Sequence, residues 1–384
     1  MDNVKQFYLP TKVITGLGCF SQLGEVGRAS GQKALVVCGP NALRRSGVLQ
    51  RGLDSLREAG VETTLYDGVV GEPTLRMTQE AINLARQEQV EVVIGIGGGS
   101  AMDVGKASAV LSPQPGTIAE YHAGRVIERP GVPFVSVPTT AGTGTEVTNN
   151  AVLTDPQLGV KKSIRGPLLY ARTAIVDPEL TLSLPPQVTA SSGADALCQA
   201  IESFVGRGAQ PPTDALAGQA IRWIGRSLVR AYEKGSDLQA REDMLYGSLL
   251  TGMSMTNTRL GGAHGLAHPL GYRYHLSHGV VCGLLLPYVM EYSLEYVPGP
   301  YAQVARLLGV NAADMSAKEA ARQAVAVVRH ITGKIGIPDH LRQFGIKAKD
   351  FPAVIEESLP SGNLKNNPKP LEADDLQVIL ERAL

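Results

Sequence analysis

The sequence predicts an α/β N-terminal half built on a parallel sheet and an all-helical C-terminal half. Three observations carry this expectation. Short β-branched runs alternate with amphipathic helical stretches through the first half, the pattern of a parallel sheet covered by helices on both faces. Strand signals nearly vanish beyond Leu184-Pro185-Pro186, where helical periodicity takes over. A chain of 384 residues also exceeds what a single hydrophobic core usually organises. The boundary is expected near residue 187, giving an α/β domain over 1–187 and a helical domain over 188–384.

Taken in chain order, Gln6–Gly16 reads as a separate N-terminal strand pair. Lys33–Cys38 (KALVVC) reads as a buried strand, Gly47–Ala59 and Thr74–Glu88 as helices, and Glu91–Gly95 (EVVIG) as a second buried strand. Pro133–Val137 and Ala174–Val176 complete the strands. Beyond the boundary the helical patterns run over Val188–Val205, Thr213–Glu233, Leu238–Met255, Val280–Tyr292, Ala317–Ile335 and Ala373–Leu384.

Composition narrows the function. The chain carries 36 basic and 36 acidic residues with no block of like charge, which argues against a nucleic-acid or membrane-surface role. The opening MDNVKQFYLP lacks a basic region followed by an apolar core, so no signal peptide is expected. No apolar run reaches the ~20 residues that cross a bilayer. Cys19, Cys38, Cys198 and Cys282 are scattered without a CxxC pair, and a reduced, cytoplasmic setting is expected.

Two loops suit a nucleotide. Gly95-Ile-Gly-Gly-Gly-Ser100 follows a strand directly and opens a helix at about Ala101. Glycines there let backbone N–H groups approach a pyrophosphate, and the helix N-terminus adds partial positive charge. Ser100 stands where the last glycine of G-x-G-x-x-G would be, and Lys106 falls too late for a P-loop. The second loop, Pro138–Glu146 (PTTAGTGTE), also follows a strand; its small hydroxyl and glycine positions could wrap a nucleotide or form an ordinary turn.

A third cluster suits a metal. Asp195 and Gln199 are four apart in a helical stretch and share a face. His264 and His268 are likewise four apart, Pro269 is expected to end regular helix soon after, and His275 and His278 follow. Four of the seven histidines fall between 264 and 278, which favours metal or acid–base work over a scatter of surface imidazoles. One Asp, two His and an amide oxygen suit Fe²⁺, Mn²⁺ or Zn²⁺. The Gln199 carbonyl is a weaker donor than imidazole, so lower affinity than at a three-His site is expected.

These segments together resemble the iron-containing (group III) alcohol dehydrogenase family. The resemblance rests on GIGGGSAMDVGKA (95–107), VPTTAGTGTEVTNNAVLTD (137–155), AIVDPELT (174–181), GADALCQAIESF (193–204) and GGAHGLAHPLGYRYHLSHGVVCGLLLP (261–287). It implies a Rossmann-like domain followed by an all-α domain, the dehydroquinate synthase-like fold. It implies a metal held by Asp195, Gln199, His264 and His278, Fe²⁺ before Zn²⁺ or Mn²⁺, with Gln199 departing from the family's third histidine. His268 matches a further family histidine near substrate and cofactor. Gly97, Gly98, Gly99, Ser100 and Asp103 match pyrophosphate contacts. Thr139, Thr140, Thr143, Thr148 and Lys162 match other cofactor contacts, and Asn150 lines the nicotinamide side. Gly39 stands where NAD-preferring members carry Asp, and with Arg44 and Arg45 nearby this leans to NADP(H) or dual use.

The implied chemistry is reversible hydride transfer between a nicotinamide and a small aldehyde or ketone, with His268 on the proton path. Homodimers or larger homo-oligomers are implied. Two alternatives stand: a metal-independent reductase of the maleylacetate type, encouraged by Gln199, and a nucleotide-binding relative without turnover. A glycerol-dehydrogenase-like zinc enzyme would be a nearer cousin. Arg273 is a candidate for an anionic substrate group, and Glu202 is expected on the helix surface or in an interhelix pair.

Overall fold

The computed structural model describes residues 4–384. The chain forms two compact units, one spanning Leu9–Ser183 and the other joining the described residues up to Tyr8 with Leu184–Leu384. The division therefore falls at 183/184, where 187/188 was expected, and residues 4–8 join the helical unit. Lys5 Nζ donates to the carbonyls of Arg207 and Ala209, and Tyr8 N donates to Asn257 Oδ1.

The α/β unit contains β1 (Lys12–Thr15), α1 (Leu23–Ser30), β2 (Lys33–Val37), α2 (Ala42–Arg45), α3 (Val48–Glu58) and β3 (Glu62–Tyr66). There follow α4 (Leu75–Gln87), β4 (Val92–Gly97), α5 (Gly99–Leu111), α6 (Ile118–Ala123), β5 (Phe134–Pro138), β6 (Asn150–Asp155), β7 (Val160–Arg165) and β8 (Thr173–Val176). Six strands make one parallel sheet in the order β1-β8-β5-β4-β2-β3. β2 and β4 are buried on both faces, which is why they read as unbroken apolar runs rather than alternating ones.

The connections place the ligand end. From β2 the chain steps outward to β3, then returns across β2 to β4 and continues the other way to β5. The strand order reverses between β2 and β4, and open α/β sheets bind ligands at the carboxyl ends of such a pair. Those ends are Gly39 and Gly97–Ser100.

The sequence misassigned the N-terminus. Residues 6–16 do not form a strand pair; β1 alone lies there, paired parallel to β8 at the sheet edge. The register matches Val13 to Ala174 and Ile14 to Ile175, a long-range pairing that local alternation cannot reveal. The β6–β7 hairpin is a separate two-stranded antiparallel sheet.

The helical unit comprises α7 (Pro186–Val205), α8 (Pro211–Glu233), α9 (Leu238–Thr258), α10 (Gly262–Tyr274), α11 (His278–Leu294), α12 (Pro298–Leu307) and α13 (Ala317–Lys334), then α14 (Phe351–Ser358), α15 (Gly362–Asn366) and α16 (Ala373–Ala383). Helix α10 runs through Pro269 to Tyr274 instead of stopping. Proline removes one N–H and crowds the carbonyl four residues back, yet Leu266, Ala267 and Leu270 around it are fully buried, and that burial holds the helix. It ends at His275, whose φ of 53° gives a left-handed cap.

Candidate metal centre and nucleotide cradle

The helical unit brings its polar residues together on three helices. Asp195 and Gln199 project from α7, His264 and His268 from α10, and His278 from the first position of α11. Asp195 and His264 are buried, and His278 has a side chain 23% exposed. Asp195 Oδ1 lies 3.2 Å from His264 Nε2 and 3.9 Å from His278 Nε2. His264 and His278 meet edge to face at 5.4 Å between ring centroids, and His268 stacks on His278 at 5.1 Å. His275 is exposed and stands apart as the cap of α10.

The close approach of α11 to α7 depends on Gly279. A β-carbon there would sit 2.0 Å from the Ser191 carbonyl oxygen and 3.1 Å from Asp195 Cβ. Ser191 Oγ and Ser277 Oγ, 2.6 Å apart, fasten the same contact.

Gln199 faces the carboxylate. Its Nε2 donates to Asp195 Oδ2 at 2.9 Å, while its Oε1 is buried without a hydrogen-bond partner. The amide thus holds the outer oxygen of Asp195 and leaves Oδ1 toward the imidazoles.

Glu202 takes the second of its two expected places, an interhelix pair with His264 of α10, and not the helix surface. It is buried and accepts from Gly261 N at 2.8 Å, Ala263 N at 2.7 Å and His264 Nδ1 at 2.6 Å. Two of these donors are orphan N–H groups at the start of α10, which a carboxylate satisfies well. The third holds a proton on His264 Nδ1, so that Nε2, facing Asp195 Oδ1, is the nitrogen left to give up its proton to an ion. A signal was available: Asp195, Gln199 and Glu202 sit at i, i+4 and i+7, one stripe of one helix.

Two cysteines complete the cluster, and neither drew attention in the sequence. Cys282 Sγ lies 3.6 Å from His278 Nε2, and Cys198 Sγ lies 3.6 Å from His264 Nδ1. Burial raises both thiols, and for Cys198 the hydrogen bond with Cys282 and the nearby Glu202 and Asp195 charges raise it further. For Cys282 burial is outweighed by the Cys198 hydrogen bond and the two imidazoles, which hold its thiol well below the ordinary range. Ligand atoms of Asp195, His264, His278 and Cys282 all lie within 4.8 Å of one another. This donor set, buried and converging, fits a divalent cation.

Arg273 is not open to a substrate anion. It is exposed and forms a forked ion pair with Glu357, with Nε 2.9 Å from Oε2.

In the α/β unit the glycine loop forms the bare start of α5. Gly98 caps it with no side-chain hydrogen bond, so the first N–H groups remain for a ligand. Gly97 adopts φ 152° with Ala101 Cβ 2.9 Å from where its own β-carbon would be. β-Carbons on Gly98 and Gly99 would meet Thr140 and Thr143 at 3.2 and 2.9 Å. The glycines therefore let the threonine loop pack directly against the start of α5, bringing its hydroxyls beside the helix N–H groups that suit a pyrophosphate. Thr139 is buried, its N–H donating to Gly97 O at 2.8 Å.

Below this cradle lies Lys106, fully buried. Its ammonium donates to the carbonyls of Thr145, Thr148 and Asn150 at 2.7, 3.0 and 2.9 Å, and to the Thr145 and Thr148 hydroxyls. Asp103 accepts from Thr145 Oγ1 at 2.8 Å and Val152 N at 3.1 Å, so both its oxygens are engaged within the protein. Burial pushes Lys106 down to about 8 against the pull of Asp103 and Glu146, raises Asp103 and lifts Glu146 to about 7. Lys106 is a post under the threonine loop, a role its sequence position did not suggest. Lys162 is exposed on β7, and Asn150 opens β6 with Nδ2 3.4 Å from Ser163 Oγ. Gly39 follows β2, with Val69 O 3.2 Å from its missing β-carbon. Arg44 is paired with Asp67 at 2.6 Å.

Family comparison agrees with this arrangement. Residues 10–178 match the model of the iron-containing alcohol dehydrogenases, and residues 189–384 match the C-terminal model of the Fe-containing alcohol dehydrogenase family. The chain is 37% identical over 379 residues to a 1,3-propanediol dehydrogenase of Klebsiella pneumoniae, covering 98% of each. Among solved structures it resembles a 1,3-propanediol oxidoreductase with TM-score 0.96 and 38% identity, covering 100% of both chains. It also resembles the sulfoacetaldehyde reductase of Bifidobacterium kashiwanohense in complex with NAD⁺, with TM-score 0.91, 29% identity and coverage of 99% and 98%. The chain belongs to the iron-containing alcohol dehydrogenase family.

Proposed function

We propose that the protein is a metal-assisted, NAD(P)(H)-linked alcohol dehydrogenase that also runs as an aldehyde reductase on small aldehydes or ketones. The observation that carries this is the convergence of Asp195 Oδ1 with the Nε2 atoms of His264 and His278 from three helices. Asp195, His264 and His278 hold the ion, and Gln199, expected as a fourth ligand, steadies Asp195 through Oδ2. When bound, a divalent ion supplies Lewis-acid polarisation of the substrate oxygen. The nicotinamide supplies or accepts the hydride.

The chain's own residues do the remainder. Gly97, Gly98, Gly99 and Ser100 receive the pyrophosphate on the start of α5, with Thr139, Thr140 and Thr143 opposite. Asp103 acts from beneath, together with Lys106, by fixing the loop that carries Thr148 and Asn150. Lys162 is assigned to the cofactor on sequence grounds alone. His268, stacked on His278, carries the proton at a ring nitrogen to or from the substrate oxygen through water or a ribose hydroxyl.

For the cofactor, Gly39 offers no carboxylate to repel a 2′-phosphate, which favours NADP(H). Arg44 would first have to leave Asp67, and a family structure holds NAD⁺, so use of both nucleotides is the reading. Assembly as a homodimer or larger homo-oligomer is proposed with it. No helix among the described residues is long and apolar enough to cross a membrane.

The test is oxidation of NADPH and NADH by metal-loaded protein across a panel of small aldehydes. Activity with either nucleotide, lost on chelation and restored by metal, is expected. Activity indifferent to chelation would favour the maleylacetate-type alternative, and none at all the non-catalytic one.

A further inference from the structure

We propose that the fourth ligand of the metal site is the thiolate of Cys282, and that the site is built for zinc. This rests on the metal-binding reading above and deepens it. Cys282 stands four residues after His278 on α11, so both side chains leave the same face one turn apart. Tetrahedral zinc holds sulfur at about 2.3 Å and imidazole nitrogen at about 2.0–2.1 Å, which places two such ligand atoms roughly 3.5 Å apart. Cys282 Sγ is 3.6 Å from His278 Nε2. Two oxygen and nitrogen ligands would be separated by about 3.4 Å on the same geometry, and Asp195 Oδ1 is 3.2 Å from His264 Nε2. Asp195 Oδ1 is 3.9 Å from His278 Nε2 and all four groups lie within 4.8 Å of one another, so a small inward movement closes them on one ion.

Gln199 fits a different task. Its Nε2 donates to Asp195 Oδ2, which is how outer-sphere partners orient a ligating carboxylate. An amide so committed restrains Asp195, whereas Cys282 offers an anionic, polarisable donor in a fully buried position. Thiolate beside two imidazoles and a carboxylate selects zinc over the harder ions that an all-oxygen and nitrogen site accepts. Cys198 approaches His264 at Nδ1, whose proton goes to Glu202, and hydrogen-bonds to Cys282, so it neighbours the site without meeting the ligating Nε2. It is therefore the natural control.

The experiment strips the full-length protein with chelator, reloads it with zinc or cobalt and reads the ligands by X-ray absorption. One sulfur at about 2.3 Å from zinc is expected, with a thiolate-to-cobalt charge-transfer band in the cobalt form. Both signals should persist in Cys198→Ser and vanish in Cys282→Ser. Zinc affinity should fall in Cys282→Ser by more than the roughly ten- to hundredfold that losing an outer-sphere partner costs, the loss expected for Gln199→Ala. If Cys282→Ser fails to fold, a sulfur neighbour present in both the wild type and Cys198→Ser decides the matter. A bound ion with only nitrogen and oxygen neighbours, or a sulfur signal that survives in Cys282→Ser, overturns the assignment and leaves the metal reading intact. Failure of the wild type to take up either ion overturns both.

Discussion

At the scale of single residues, Glu202 ranks beside the ligands themselves. It is buried among three donors, and one of them is the imidazole that must present Nε2 inward. Truncation to alanine strands two buried N–H groups and frees the His264 tautomer. Glu202→Ala should therefore lower metal affinity by about ten- to a hundredfold and stability by about 1–3 kcal/mol. Metal titration and chemical denaturation check both. Glu146 offers a pH test. Burial lifts its pKa to about 7 from an ordinary 4.5, so the folded state holds the proton more tightly than the unfolded chain. Its contribution is complete below about 4.5 and disappears as pH rises through about 7. Glu146→Gln should flatten that slope and stabilise the protein at alkaline pH by on the order of 1–3 kcal/mol. Melting curves across the range would show it. An unchanged slope would mean that Glu146 is not its source. That Asp195, His264 and His278 would come together was legible because residue type and clustering pointed to them. The sequence hid Glu202 and Lys106, whose partners lie about 60 and 40 residues away in the chain.

Among the elements, the contact of α7 with α11 is decisive. Two helices meet closely only where side chains are small, and Gly279 is the point at which their backbones touch. Gly279→Ala must push α11 outward, separating His278 from Asp195. The expected result is weakened metal binding together with a stability loss of about 1–3 kcal/mol from overpacking. Isothermal titration with zinc, alongside urea unfolding, distinguishes this from a purely structural defect, which would leave affinity unaltered. Buried strands and long helices were readable because their periodicity is local. β1 was not, since its partner is β8, and α10 was cut short on paper at Pro269 because burial around it has no local signature. The parallel β2–β4 pair was legible as strands, but its reversal of order, which marks the ligand end, came only from the topology.

For the whole molecule, the ligands act on stability by mass action. A site held by groups from α7, α10 and α11 binds only when those helices are assembled, so metal free energy becomes folding free energy. At a thousandfold excess over its dissociation constant, zinc should add about 4 kcal/mol. Calorimetric melting with and without zinc measures this, and Asp195→Ala should abolish the shift. By the same accounting, chelation should shorten the shelf life of a metal-loaded protein.

The opening residues carry a consequence for biosynthesis. Lys5 hydrogen-bonds to Arg207 and Tyr8 to Asn257, partners that leave the ribosome some two hundred residues later, on the order of ten seconds or more at usual elongation rates. The nascent Leu9–Ser183 segment can complete its sheet while the leading end still waits for its berth. Any bulk joined close to Lys5 and Tyr8 would have to stay clear of that berth throughout the interval, so a tag placed there should slow the docking.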